Sequence, residues 1–108
     1  MAWTVETLGS AVDEELEQLP ADMLARFHYI SALIEEFGLE RVREPHVKHL
    51  SGPLWEMRMK GRDGISRALY VTAVGRRVVV VRVFIKKTQR TPNREIELAL
   101  KRAKEILR

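Results

Sequence analysis

The side chains of this chain with the types and spacing to do chemistry are cations, and they begin on a stretch that alternates. Residues 54–60 read Leu-Trp-Glu-Met-Arg-Met-Lys. Trp55, Met57 and Met59 share one parity, and Glu56, Arg58 and Lys60 share the other. Successive side chains on a strand point to opposite faces, so one side can enter a core while a charged row points outward. Further cations follow: Arg67, then Arg82 and Lys86 at matching parity, then Lys87 and Arg90. Fixed Arg and Lys groups suit phosphate chemistry. RNA carries its own nucleophile, because a 2′-hydroxyl can attack the adjacent phosphate while the 5′-oxygen leaves. The transition state gathers negative charge, and each well-placed electrostatic contact there is worth about 3–4 kcal/mol. A lysine whose pKa is lowered by neighbouring cations can take the 2′ proton. This chemistry calls for no metal and no cofactor.

Other chemistry finds little support. There is no cysteine, which excludes a thiolate metal site, a cysteine nucleophile and a disulfide framework. The chain has no glycine-rich phosphate loop, no His-x-x-x-His pair and no nucleophile elbow. The histidines are His28, His46 and His49, none of which is assigned a role. Glu95 and Glu97 suit the positive end of a helix.

The elements that must position the cations follow from periodicity. Residues 2–8 are a short strand ended by Gly9, and Ser10 is a candidate helix cap. Val12, Leu16, Leu19, Met23, Phe27, Ile30, Ile34 and Phe37 form a helical seam interrupted by Pro20. Two helices are therefore expected, over 10–18 and 21–37, with Gly38 ending the second. Residues 39–53 read as an irregular loop. Three strands follow, over 54–60, 66–74 and 77–85, joined by turns at 61–64 and 75–76. In the last, Val79, Val81, Val83 and Ile85 form one face toward helices, opposite Arg82 and Lys86. The valine run 78–81 suggests burial on both sides over part of the strand. A final helix spans 93–107, with Thr91 or Asn93 as its cap. The order is β-α-α-β-β-β-α, an α+β class domain with helices packed on an antiparallel sheet. Residues 1–108 make a single domain. Trp55 is expected to anchor the core, whereas Tyr70 fits a core position or a stacking surface for RNA bases equally well.

Charge is unevenly distributed. The net +4 divides into −6 over residues 1–54 and +10 over residues 55–108. That asymmetry points to a polyanion surface on the basic part. No apolar run approaches the ~20 residues of a membrane span, and no leader pattern opens the chain, so a cytoplasmic protein without membrane contact is expected.

Four pieces in order carry a resemblance: the strand 54–60; Arg67-Ala68-Leu69-Tyr70; Phe84-Ile85-Lys86-Lys87-Thr88-Gln89-Arg90-Thr91-Pro92; and Glu95-Ile96-Glu97-Leu98-Ala99. They resemble the RelE/HigB toxin superfamily, in its HigB-like branch of small phage-type toxins, over nearly the whole chain. The resemblance implies the toxin of a bacterial toxin–antitoxin pair that cleaves mRNA in the ribosomal A site. Its implied partners are the ribosome with its mRNA and a helix-turn-helix antitoxin, with DNA reached only through the antitoxin complex. Arg58 and Arg67 match the positions of phosphate-binding and transition-state cations. Lys60 would be the base or a second phosphate contact. Lys86 and Lys87 match the strand exit that contacts the leaving group or phosphate, and Arg82, Arg90 and Tyr70 are further RNA-binding candidates. The sequence departs from well-known members in having no tyrosine or histidine in or just before the last helix as a general acid. Two other readings stand beside this one: a toxin of the same fold that inhibits DNA gyrase by binding, and a non-catalytic RNA-binding module.

Overall fold

A computed structural model describes residues 2–86 and 90–107. Its elements are β1 (Thr4–Thr7), α1 (Ser10–Glu17), α2 (Ala21–Phe37), a 3-10 turn at Leu39–Arg41, β2 (Val47–Ser51), β3 (Leu54–Gly61), β4 (Gly64–Ala73), β5 (Arg77–Lys86) and α3 (Asn93–Ala103). The strands form one sheet in the order β1-β5-β4-β3-β2. β1 runs parallel to β5, and the other neighbours are antiparallel. The α+β class and the helix-on-sheet packing match the sequence reading. The sheet itself is mixed, and it has a fifth strand, β2, where a loop was expected.

Each helix start has a local cause. Pro20 stands just before α2, where its missing N–H is no loss, and its carbonyl accepts from the N–H groups of Met23 and Leu24 at 3.0 Å each. Pro92 does the same for α3, accepting from Glu95 and Ile96. Neither Thr91 nor Asn93 caps that helix, and Gly9 rather than Ser10 precedes α1. Asp22 of α2 accepts the Arg62 N–H in the β3–β4 turn at 2.6 Å. The helix sits so close there that a Cβ on Gly61 would come within 2.7 Å of Met23, so a larger residue would force the Met23 and Asp22 side chains to shift.

Helices cover both faces. The α1–α2 side buries Val12, Met23, Phe27, Ile30 and Ile34 against Met57, Met59, Ala68, Tyr70, Val78 and Val80. The α3 side buries Leu54, Leu69, Val71, Val79 and Val81 against Ala99 and Ala103. Each of the larger of these side chains is worth about 1.5–3 kcal/mol relative to exposure. The run 78–81 is indeed buried on both sides.

β5 departs from the expected parity. Leu69 pairs with Arg82, but Tyr70 pairs with Val80, so Val81 is the extra residue of a bulge. Val79 and Val81 therefore pack under α3, while Val83 packs on the α1–α2 side. The single face expected for Val79, Val81, Val83 and Ile85 does not exist.

β1 pairs only as far as Val80, so the rest of β5 has an open edge. Side chains close it. The Val83 N–H donates to Glu15 Oε1 of α1 at 3.0 Å, and Arg102 Nη1 of α3 donates to the Val81 carbonyl at 2.9 Å. Arg102 also pairs with Glu15 at 3.0 Å.

Candidate phosphate site

The site is built by strand register on the α3 side of the sheet, at the N-terminal end of α3. The β3–β4 ladder sets Arg58 directly opposite Arg67, and Lys60 opposite Ile65. The β4–β5 ladder sets Ile65 opposite Lys86. Residues directly opposite share a face. Arg58, Arg67, Lys60 and Lys86 therefore share the face that also carries Glu56, which stands opposite Leu69 on β4 and Lys48 on β2.

Glu56 organises this face. It is 2% exposed, and Arg67 is 4% exposed. Arg67 Nη1 donates a hydrogen-bonded ion pair to Glu56 Oε1. Arg58 Nε lies 3.5 Å from the same oxygen. The second oxygen, Oε2, accepts from the Thr91 hydroxyl at 3.1 Å. Glu56 thus ties β3, β4 and the segment leading into α3 together. The Nε atoms of Arg58 and Arg67 are buried and find no hydrogen-bond acceptor among the described residues.

An open groove of about 450 Å³ adjoins this cluster, lined among others by Lys48, Glu56, Arg58, Lys86, Arg90 and Thr91. Glu56 is the one carboxylate among the described residues that line it. The excess of cations acts on their protonation. Lys86 lies below its usual value of 10.5, through burial first and then through Arg67, with Arg58 and Lys48 adding and Glu56 opposing. Burial also lowers Arg67, against the pull of Glu56.

The candidates from sequence thus fall into groups. Arg58, Arg67 and Lys86 come together, and Arg90 lines the same groove. Lys60 is one row nearer the β3–β4 turn, beside a smaller depression of about 260 Å³ that Arg58 also lines. Lys87 lies outside the described residues. Arg82 stands in the next row, opposite Leu69, where ion pairs to Glu15 and Glu95, both at 2.7 Å, hold it, and it is not among the described residues lining the groove. Tyr70 is 1% exposed and belongs to the core beneath α2, on the opposite face from the cations, so no stacking surface forms there. Trp55, expected as a core anchor, is 39% exposed, with its ring edge-on to His49 at 5.1 Å.

Three participants escaped the sequence reading. Glu56 had its signal in plain view, the parity it shares with Arg58 and Lys60. Thr91 lies just before a helix and read as a cap. Lys48 had no signal, because its strand was read as loop.

Residues 14–104 match the model of a family described as Phage derived protein Gp49-like (DUF891). No curated protein matches the chain.

Proposed function

The chain belongs to the Gp49-like phage-derived family, part of the RelE/HigB-like toxin superfamily, and on that premise we propose that it is a ribosome-dependent endoribonuclease that cuts mRNA. The family is one of toxins of toxin–antitoxin pairs, and membership implies an antitoxin partner. The motifs at 54–60 and 84–92 support a place in the HigB-like branch, where the antitoxin is usually a helix-turn-helix protein. Translating ribosomes are the substrate's carrier, which makes the cytoplasm its place of action. Among the described residues no helix is long and apolar enough to cross a membrane.

One observation carries the proposal: Arg58 and Arg67 face each other across β3 and β4, over a buried carboxylate, with Lys86 beside them and an open groove in front. Arg58 and Arg67 hold the scissile phosphate. The Arg58 Nε, which has no hydrogen-bond acceptor among the described residues, belongs to a side chain that lines the open groove and fits a site completed by an anion, while Arg67 adds its charge from behind. Glu56 is a positioning residue, since its oxygens are occupied by Arg67 and Thr91. Lys86, lowered by burial and by Arg67, takes the 2′ proton in its neutral form. The 2′-oxygen bonds to phosphorus, the bond to the 5′-oxygen breaks, and that oxygen takes a proton from solvent. The products are a 2′,3′-cyclic phosphate and a 5′-hydroxyl. Lys60 and Arg90 add positive potential along the strand's path, and Lys87 is a further candidate for the phosphate or leaving group.

The test is primer extension on mRNA after induction, with and without the Arg58→Ala, Lys86→Ala substitutions. Cuts at codons under translation that vanish in the folded double variant support the reading. Growth arrest with intact mRNA and blocked DNA supercoiling would replace it with gyrase inhibition. Salt-sensitive RNA binding without cleavage in translating extracts would reduce it to an RNA-binding module.

A further inference from the structure

The outer flank of α2 presents an apolar stripe that the described residues leave about half exposed. Tyr29 is 51% exposed and Phe37 is 53% exposed, with half-buried Leu33 between them. The spacing of four residues aligns all three along one side of the helix, over about 12 Å of its length. This stripe lies one residue round from the buried seam of Phe27, Ile30 and Ile34, toward the chain that enters β2. There the Tyr29 ring meets His46 edge-on at 6.0 Å. Beside Leu33 and Phe37 runs a groove of about 360 Å³, walled on its other side by Pro45 and His46.

The rim of this stripe is mainly cationic, with Glu44 the one carboxylate among the described residues that line its two depressions. Residues 1–54 contain only four Lys and Arg, and three of them, Arg26, Arg41 and Arg43, stand along it. The Arg26 guanidinium lies over the Tyr29 ring, 5.5 Å from its centre. Continuing past Arg26, Pro45 and His46, the depression reaches Lys60 and Arg58. Arg58 thus borders both this flank and the phosphate groove.

We propose that this flank of α2 is the docking surface for an acidic amphipathic helix of a second protein chain, whose carboxylates reach Arg26 and extend to Arg58. An apolar stripe at helical spacing accepts the apolar side of a helix as a groove does, and the cationic rim selects carboxylates at its borders. Nucleic acid would need stacking surfaces and phosphate contacts without the aliphatic centre that Leu33 and Pro45 supply. The proposal rests on the toxin reading only for its consequence, that docking silences the site by neutralising Arg58.

The experiment titrates this chain with the purified product of the adjoining reading frame, and compares the wild type with the Tyr29→Glu, Phe37→Glu double variant and with Arg26→Glu. Both aromatic positions are about half exposed, so the double variant keeps its fold, which thermal melting verifies. Binding is expected to weaken about a hundredfold in the double variant and about tenfold in Arg26→Glu. Hydrogen exchange in the wild-type complex is expected to slow on α2 and at residues 43–47. Unchanged affinity in the double variant overturns the proposal. So does a wild type that self-associates through this flank, or a double variant that loses RNA binding while keeping the protein partner. Partner binding and mRNA cleavage are separate readouts. A chain that binds through α2 but cuts no mRNA would retain the docking surface and refute only the nuclease.

Discussion

Arg58 and Arg67 stand directly opposite one another on adjacent antiparallel strands, and one buried carboxylate, that of Glu56, lies against both. Like charges so placed repel, and here Glu56 offsets the repulsion. Its loss would leave Arg67 buried and unpaired. Glu56→Gln is therefore expected to lower unfolding stability by about 3 kcal/mol, read from urea denaturation. Replacing the pair together, as Glu56→Leu with Arg67→Met, restores most of that loss, because well-packed apolar groups need no compensation. A double variant as unstable as the sum of its single changes would show that the two residues are not coupled.

Arg58 differs from Arg67 in being partly solvent-accessible, so its charge can be removed without emptying the core. Arg58→Ala is expected to lower single-turnover cleavage on programmed ribosomes by about 10²–10³-fold, with the melting temperature nearly unchanged. Lys86→Ala falls in the same range. Arg82→Gln tests the contrast. Its ties to Glu15 and Glu95 make it a structural cation, so stability drops while the cleavage rate of the folded protein holds. A large loss of rate in folded Arg82→Gln would return that residue to the site.

Strong periodicity made much of the fold legible. The seam from Val12 to Ile34 gave both helices, and the turns at 61–64 and 75–76 set β3 to β5 in register, which alone brings Arg58 beside Arg67. The parts that stayed hidden lacked a pattern. In β2 only Val47 is buried, while Lys48 and His49 are exposed at the sheet edge, so no alternation marked a strand. The Val81 bulge was silent because four consecutive valines carry no parity. The tie between Arg82 and Glu15 had no sequence signal, because the two are far apart in the chain. Glu56 read as one charge in a solvated row, since burial of a carboxylate depends on where Arg67 and Thr91 end up.

Glu15 offers a test of how the sheet edge is closed. It accepts the Val83 N–H and pairs with both Arg82 and Arg102, at the point where β1 no longer covers β5. Glu15→Ala leaves a partly buried donor without an acceptor and is expected to cost about 1–3 kcal/mol. The Val83 amide should exchange with solvent much faster than in the wild type, while the Val78 and Val79 amides hold. Exposing the edge should also favour association through β5 at high protein concentration. Glu15→Gln, which keeps an acceptor for Val83, falls between the two. Unaltered exchange at Val83 would mean that Glu15 does not close the edge.

The depressed pKa of Lys86 gives the mechanism a signed pH dependence. The amine acts in its neutral form, and burial together with Arg67 brings deprotonation below the usual 10.5. With substrate limiting, the cleavage rate should rise about tenfold per pH unit while the pH is below the folded pKa, and level off above it. Because the pKa is lowered, that bend falls below 10.5. Arg58→Gln removes a cation that lowers it, so the bend moves to higher pH. Glu56→Gln removes the carboxylate that raises it, so in the fraction that remains folded the bend moves to lower pH. Lys86→Arg keeps the charge and has no accessible neutral form, so its residual rate should be flat. Stability carries the same sign, because between the folded pKa and 10.5 the unfolded lysine holds its proton longer and stability rises with pH. A wild-type profile as flat as that of Lys86→Arg would remove the lysine from proton transfer and leave it a phosphate contact.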